Sequence, residues 1–160
     1  MSAVTAMIGV PVAVASMVAA QGNAPLTNVS PGTQVAIIRP AAGSVMQAGE
    51  DLPVDGTVAG LPPGDRLWII LRSDPDPDGL YYLAQDRPVA YHDGTWQLTS
   101  KPTGNIVSKG RNITLIALQA DSSCDDVLFT LPSDDNGRLS LPAIPDGCVD
   151  RAERSIAVAP

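Results

Sequence analysis

Three aspartates at alternate positions, Asp74, Asp76 and Asp78, run directly into Gly79. Hard carboxylate oxygens at the first, third and fifth positions of a loop with glycine sixth follow EF-hand ligand spacing, so the small ligand this loop suits is calcium. Two features oppose that chemistry. The twelfth position is Gln85 rather than a bidentate glutamate, and Leu80 to Leu83 reads as a strand where an EF-hand begins a helix. The competing and simpler reading is a solvated acidic turn whose prolines, Pro75 and Pro77, discourage edge pairing. Cys124 and Cys148 are the only cysteines; they lack the CxxC and histidine neighbours that zinc needs, so a disulfide between them is expected.

Other chemistries find less support. His92 is the only histidine, and Asp93 beside it is the one general-base partner at hand. Adjacent strand side chains point to opposite faces, so the two are not expected to converge; His92-Asp93-Gly94 reads instead as a tight turn in solvent. No serine sits in a GxSxG elbow, and no glycine-rich loop with Lys-Ser or Lys-Thr cradles a phosphate. Glycoside hydrolysis needs two carboxyl groups roughly 5–9 Å apart in a cleft. The two glutamates, Glu50 and Glu153, stand among charged neighbours at strand edges, and the aspartates fall mostly in turns. Among the aromatics, Tyr81 and Tyr82 must face opposite ways in a strand. Tyr82 and Trp96 are the candidates for a sugar-facing platform, while Trp68, in the most apolar run, is expected as the core tryptophan of a sandwich.

Composition narrows the field further. The net charge is -7, and the only lysines are Lys101 and Lys109. Nucleic acid and anionic membrane surfaces both need clustered cations, so neither is an expected partner. Fourteen glycines and fifteen prolines in 160 residues exclude a bundle of long helices. Aromatics at 4% leave little to line a large cofactor cavity, and no cofactor is expected beyond the calcium reading.

The body reads as short strands between turn signals. Gln34 to Ile38 is a strand ended by Arg39-Pro40, and Val45-Met46 is a short edge piece. Leu52 to Ala59 alternates apolar and polar residues as a half-buried strand does. Arg66 to Arg72 is apolar on both faces, the pattern of a central strand, and Leu80 to Ala84 returns beside it. Pro88 to Tyr91, Thr95 to Thr99, Asn112 to Ala120 and Val149 to Ala159 complete the set. The one helix of the body is expected over 122–131, capped by Asp121 or Ser122 and stopped by Pro132. The fold class is therefore all-β, an antiparallel sandwich of about seven strands.

No charged side chain precedes Arg39, and residues 1–20 are apolar or small. That segment reads as a hydrophobic helix, either a signal peptide with small residues before a cleavage point or an uncleaved single-pass anchor; a buried helix of a soluble domain is the bland alternative. Residues 21–33, polar and rich in Gly, Pro, Asn and Ser, read as a flexible linker, and residues 34–160 as the domain. Both leading readings put the domain outside the cytoplasm, the compartment in which a disulfide persists. Membrane contact is then confined to residues 1–20, if they stay attached. The sequons Asn28-Val29-Ser30 and Asn112-Ile113-Thr114 carry no argument in such a chain.

The stretches IIRPAAGSVMQAGEDLPVDGTVAGLPPGDRLWIILR, GLYYLAQDRPV and DGTWQLT, with LPAIPDGCVDRA before the last strand, carry a resemblance. Together they resemble bacterial extracytoplasmic immunoglobulin-like domains over about two thirds of the chain. The resemblance implies a sandwich and a binding or spacer module on an exported protein. The leading expectation is a non-enzymatic module engaging a protein partner, or acting as a spacer, at the cell envelope. A carbohydrate-binding module at the wall is the alternative, and a hydrolase with an unrecognised site the third.

Overall fold

A computed structural model describes residues 32–75, 78–102 and 110–160. The expected N-terminal helix and all but the last two residues of the expected linker lie outside the described residues. So do Asp76 and Pro77 of the acidic loop.

The chain is mainly β. Its elements are β1 (Gln34–Arg39), β2 (Val45–Met46), β3 (Leu52–Ala59), β4 (Arg66–Asp74), β5 (Tyr81–Leu83), β6 (Tyr91–His92), β7 (Thr95–Ser100), β8 (Asn112–Ala120), α1 (Ser122–Phe129), β9 (Ser140–Leu141) and β10 (Cys148–Val158). One sheet has the order β1-β3-β7-β6, and the other β2-β10-β8-β4-β5-β9. Pairing is antiparallel throughout except between β2 and β10. The three two-residue strands are additions to seven longer ones. Pro88 to Tyr91, expected as a strand, is a crossing. Val89 donates its N–H to Leu67 O of one sheet (2.7 Å), and Tyr91 then pairs with Trp96 of the other.

Two apolar clusters explain why β4 and β8 read as apolar on both faces. Leu67, Ile69 and Leu71 of β4 and Ile113, Leu115 and Ala117 of β8 meet Val54, Val58, Trp96 and Leu98 between the sheets. Trp68 and Ile70, with Ile116, Leu118 and Ala120, face the other way under Cys124 and Leu128 of α1 and Leu141. The sequence placed Trp68 correctly in the interior, with 0% exposure, but not on the correct face. The tryptophan between the sheets is Trp96. It fits there because its β3 partner is Gly56, where an added Cβ would lie 2.4 Å from the indole and 1.9 Å from Ala36 O.

Helix α1 is fixed at its start from several directions. Asp121 caps it, accepting from the N–H groups of Ser123 (2.9 Å) and Cys124 (3.0 Å). Gly147 leaves room for that cap, since a Cβ there would lie 2.2 Å from Asp121 Oδ1. The expected Cys124–Cys148 disulfide is formed, with Cα atoms 5.3 Å apart, and ties the helix to the first residue of β10. The Trp68 indole N–H donates to Asp125 Oδ1 at 2.7 Å, pinning the helix onto the sheet.

Candidate functional site

The crossing segment and α1 enclose a groove of about 560 Å³. Backbone bonds to β4 hold the segment: Ala84 N–H to Ile69 O (2.9 Å) and Val89 N–H to Leu67 O (2.7 Å). Val89 turns inward and is buried, leaving Arg87, Pro88, Ala90 and Tyr91 to line the groove. Phe129, the last residue of α1, lines it from the other side with Asp125, and Arg66 enters from β4. Phe129 is 66% exposed and Tyr91 50% exposed. The chain has a single phenylalanine, and large apolar side chains are ordinarily the ones a fold buries.

Among the described residues no carboxylate lies within ion-pair distance of Arg66, and Arg87 has only Asp86 at 3.9 Å, both well exposed. Asp125 already spends one oxygen on Trp68. Through Tyr91 the groove adjoins a second hollow of about 600 Å³ containing Ile38, Arg39, Asp55 and His92. Ile38 is 55% exposed, and Arg39 is paired with Asp55. Exposed apolar and aromatic side chains, each next to a guanidinium, therefore run from Ile38 through Tyr91 to Phe129.

The residues singled out from the sequence are scattered. Tyr82 and Trp96, expected to face a ligand from the surface, are 5% and 3% exposed. Alternation along a strand gives the face but not what covers it, and both of these faces turn toward the core. Neither makes a surface platform, and they line different cavities. His92 and Asp93 do converge, with Nε2 to Oδ2 at 3.0 Å, contrary to the argument from strand alternation. Asp93 has φ 49° and Gly94 φ 73°, so the strand alternation stops at His92, the last residue of β6, and Asp93 stands in the tight turn that follows. Both side chains stand almost wholly in solvent, as the turn reading required. Asp74 and Asp78 are both exposed, and the third aspartate of the calcium reading, Asp76, is outside the described residues. Among the described residues no group of three or more His, Cys, Asp or Glu converges on a metal position.

Sequence reasoning missed one carboxyl pair. A bulge on β10 between Asp150 and Ala152 puts Asp150 and Glu153 on the same face, although a spacing of three separates faces in a regular strand. Partial burial, then the hydrogen bond and charge of Glu153, push the Asp150 carboxyl up from 3.8 to about 6. The pair lies outside the cavities described above. Glu50, the other glutamate, accepts from the N–H of Gln47 within its own turn at 3.1 Å.

Comparison of the chain with known protein families and with curated proteins finds no match.

Proposed function

We propose that the chain is an exported immunoglobulin-like interaction module whose protein partner docks on the surface from Ile38 through Tyr91 to Phe129. Strand order supports the immunoglobulin-like part of this reading. In that fold strands A, B, E and D form one sheet and G, F and C the other, extended by C′ in variable-type domains. Taking β1, β3, β4, β5, β6, β7, β8 and β10 as A, B, C, C′, D, E, F and G reproduces the order of both sheets, with β2 and β9 added at the edges of the second. Two further departures concern the disulfide and the tryptophan. Its disulfide lies within the F–G connection rather than between B and F, and its inter-sheet tryptophan is on E rather than C. The disulfide supports an oxidising compartment, and with it the reading of residues 1–20 as an export or anchor segment.

The observation that carries the interaction reading is Phe129. The one phenylalanine of the chain stands two-thirds exposed beside a half-exposed tyrosine and two arginines, Arg66 with no ion partner among the described residues and Arg87 with only the exposed Asp86 at 3.9 Å. Aromatic residues and arginine are the side chains enriched at interface cores and hot spots. In a chain of net charge -7, a groove with two guanidinium groups selects a partner segment that brings an apolar anchor and carboxylates. The reading requires no catalytic step.

Site-specific photo-crosslinking in the native cell tests it. A photoreactive residue at position 129 or 91 is expected to give one discrete protein adduct, absent from a probe at Ala48 on an exposed turn that does not line the groove. Adducts no different from the Ala48 probe, or with glycan instead of protein, overturn it; the second result installs the carbohydrate reading.

A further inference from the structure

A third cavity, of about 460 Å³, opens at the mouth of the inter-sheet core where β5 and β7 end. Its floor is apolar: Leu71, Leu139 and the ring of Tyr82. Among its polar lining groups is the Ser100 side chain. Ser100 is 2% exposed and faces inward at the end of β7. Its hydroxyl is not one of the sealed, unpartnered polar atoms and opens onto the cavity, where a ligand can meet it.

The rim mixes donors and acceptors. Gln85 gives its Nε2 to Arg87 O at 2.9 Å, leaving its amide oxygen. The Asn136 side-chain amide makes no hydrogen bond among the described residues. Among the described residues Lys101 is held only by Asp51 at 3.4 Å, and Asp86 only by Arg87. Arg138 sits 5.9 Å over the Tyr82 ring.

The rim is preformed. Asp134 accepts from the N–H groups of Asn136 (2.8 Å) and Arg138 (2.9 Å) and pairs with the Arg138 guanidinium. Those bonds hold the Asp134 carboxyl below its ordinary range. Leu139 O accepts from Leu83 N–H at 2.9 Å, locking the turn onto the sheet.

We propose that this cavity binds a small saccharide, one or two rings in size. Sugar hydroxyls donate and accept together, as the serine, two amides, carboxylate and ammonium here require of a ligand. The apolar C–H face of a sugar ring suits the leucines of the floor, while Arg138 lies over the tyrosine. A simple anion fits worse, because Asp86 repels it and Asp134 already neutralises Arg138. A purely apolar ligand would leave Ser100 without a partner. The volume lies in the range of small-molecule sites. This site is separate from the Tyr91–Phe129 groove and stands whether or not that groove binds protein.

Amide-resolved NMR titration of the purified domain tests the proposal. The probes are glucose, galactose, N-acetylglucosamine, glucuronate and their common disaccharides at tens of millimolar, with sodium acetate as the anion control. At least one sugar is expected to give saturable shifts at Ser100, Lys101, Asn136 and Arg138. Ser100→Ala and Asn136→Ala are expected to weaken it about tenfold or more, while the remaining spectrum stays native. Three results overturn the proposal: no sugar shifts these amides, the shifts concentrate elsewhere, or acetate alone reproduces them. Because Asn136 is on an exposed turn, its variant reports binding even if Ser100→Ala disturbs the core.

Discussion

Gly56 and Trp96 face each other across β3 and β7 with no room for one more carbon between them. Gly56→Ala forces either the indole or strand β1 to move, and overpacking of that kind costs about 1–3 kcal/mol. Chemical denaturation is expected to show a loss in that range with the slope unchanged; a neutral result would mean the indole relaxes freely. Asp150 provides a second test. Its carboxyl is raised in the fold, so its contribution to stability is full below its ordinary 3.8 and is lost as pH rises through about 6. Asp150→Asn is therefore expected to match the parent near pH 4 and to melt higher at pH 8. Equal melting temperatures at both pH values would show that neither burial nor Glu153 raises the Asp150 carboxyl. At this scale the sequence yielded the burial of Trp68 and the cysteine pair, because both follow from residue type. It misplaced Tyr82 and Trp96, whose faces alternation gives but whose cover it does not. It also missed Asp150 with Glu153, since a bulge is invisible in the spacing.

Strands β3 and β8 were legible to the residue because β3 alternates cleanly and β8 is a continuous apolar run between breakers. Helix α1 came through its Asp121 cap, ending at Phe129 instead of reaching Leu131. Strand β9 and the crossing at Pro88 were not legible, because only distant pairing defines them. The start of α1 rests on three separate restraints, and two can be removed singly. Asp125→Ala deprives the buried Trp68 indole of its acceptor and is expected to cost about 1–3 kcal/mol, with a change in Trp68 emission. Unaltered stability would mean that another acceptor takes over. Replacing both cysteines by serine frees the loop from 124 to 148 and is expected to cost about 3.5 kcal/mol in the chain-entropy picture. A loss under about 1 kcal/mol would show that the packing of α1 holds the loop without the staple.

At the scale of the molecule, the connection from β8 to β10 covers one apolar face of the six-stranded sheet, and the four-stranded sheet covers the other. The two core clusters are built without Phe129 or Tyr91, whose exposure is the basis of the proposed docking surface. Stability and binding are thereby separable at these two residues. The direct measurement is the affinity of the partner captured at position 129 for Phe129→Ala and Tyr91→Ala, read beside their melting temperatures. The account predicts melting within about 2 °C of the parent and binding weakened at least about tenfold, as for hot-spot truncations. A drop of many degrees in melting temperature, or binding at parental affinity, would contradict it.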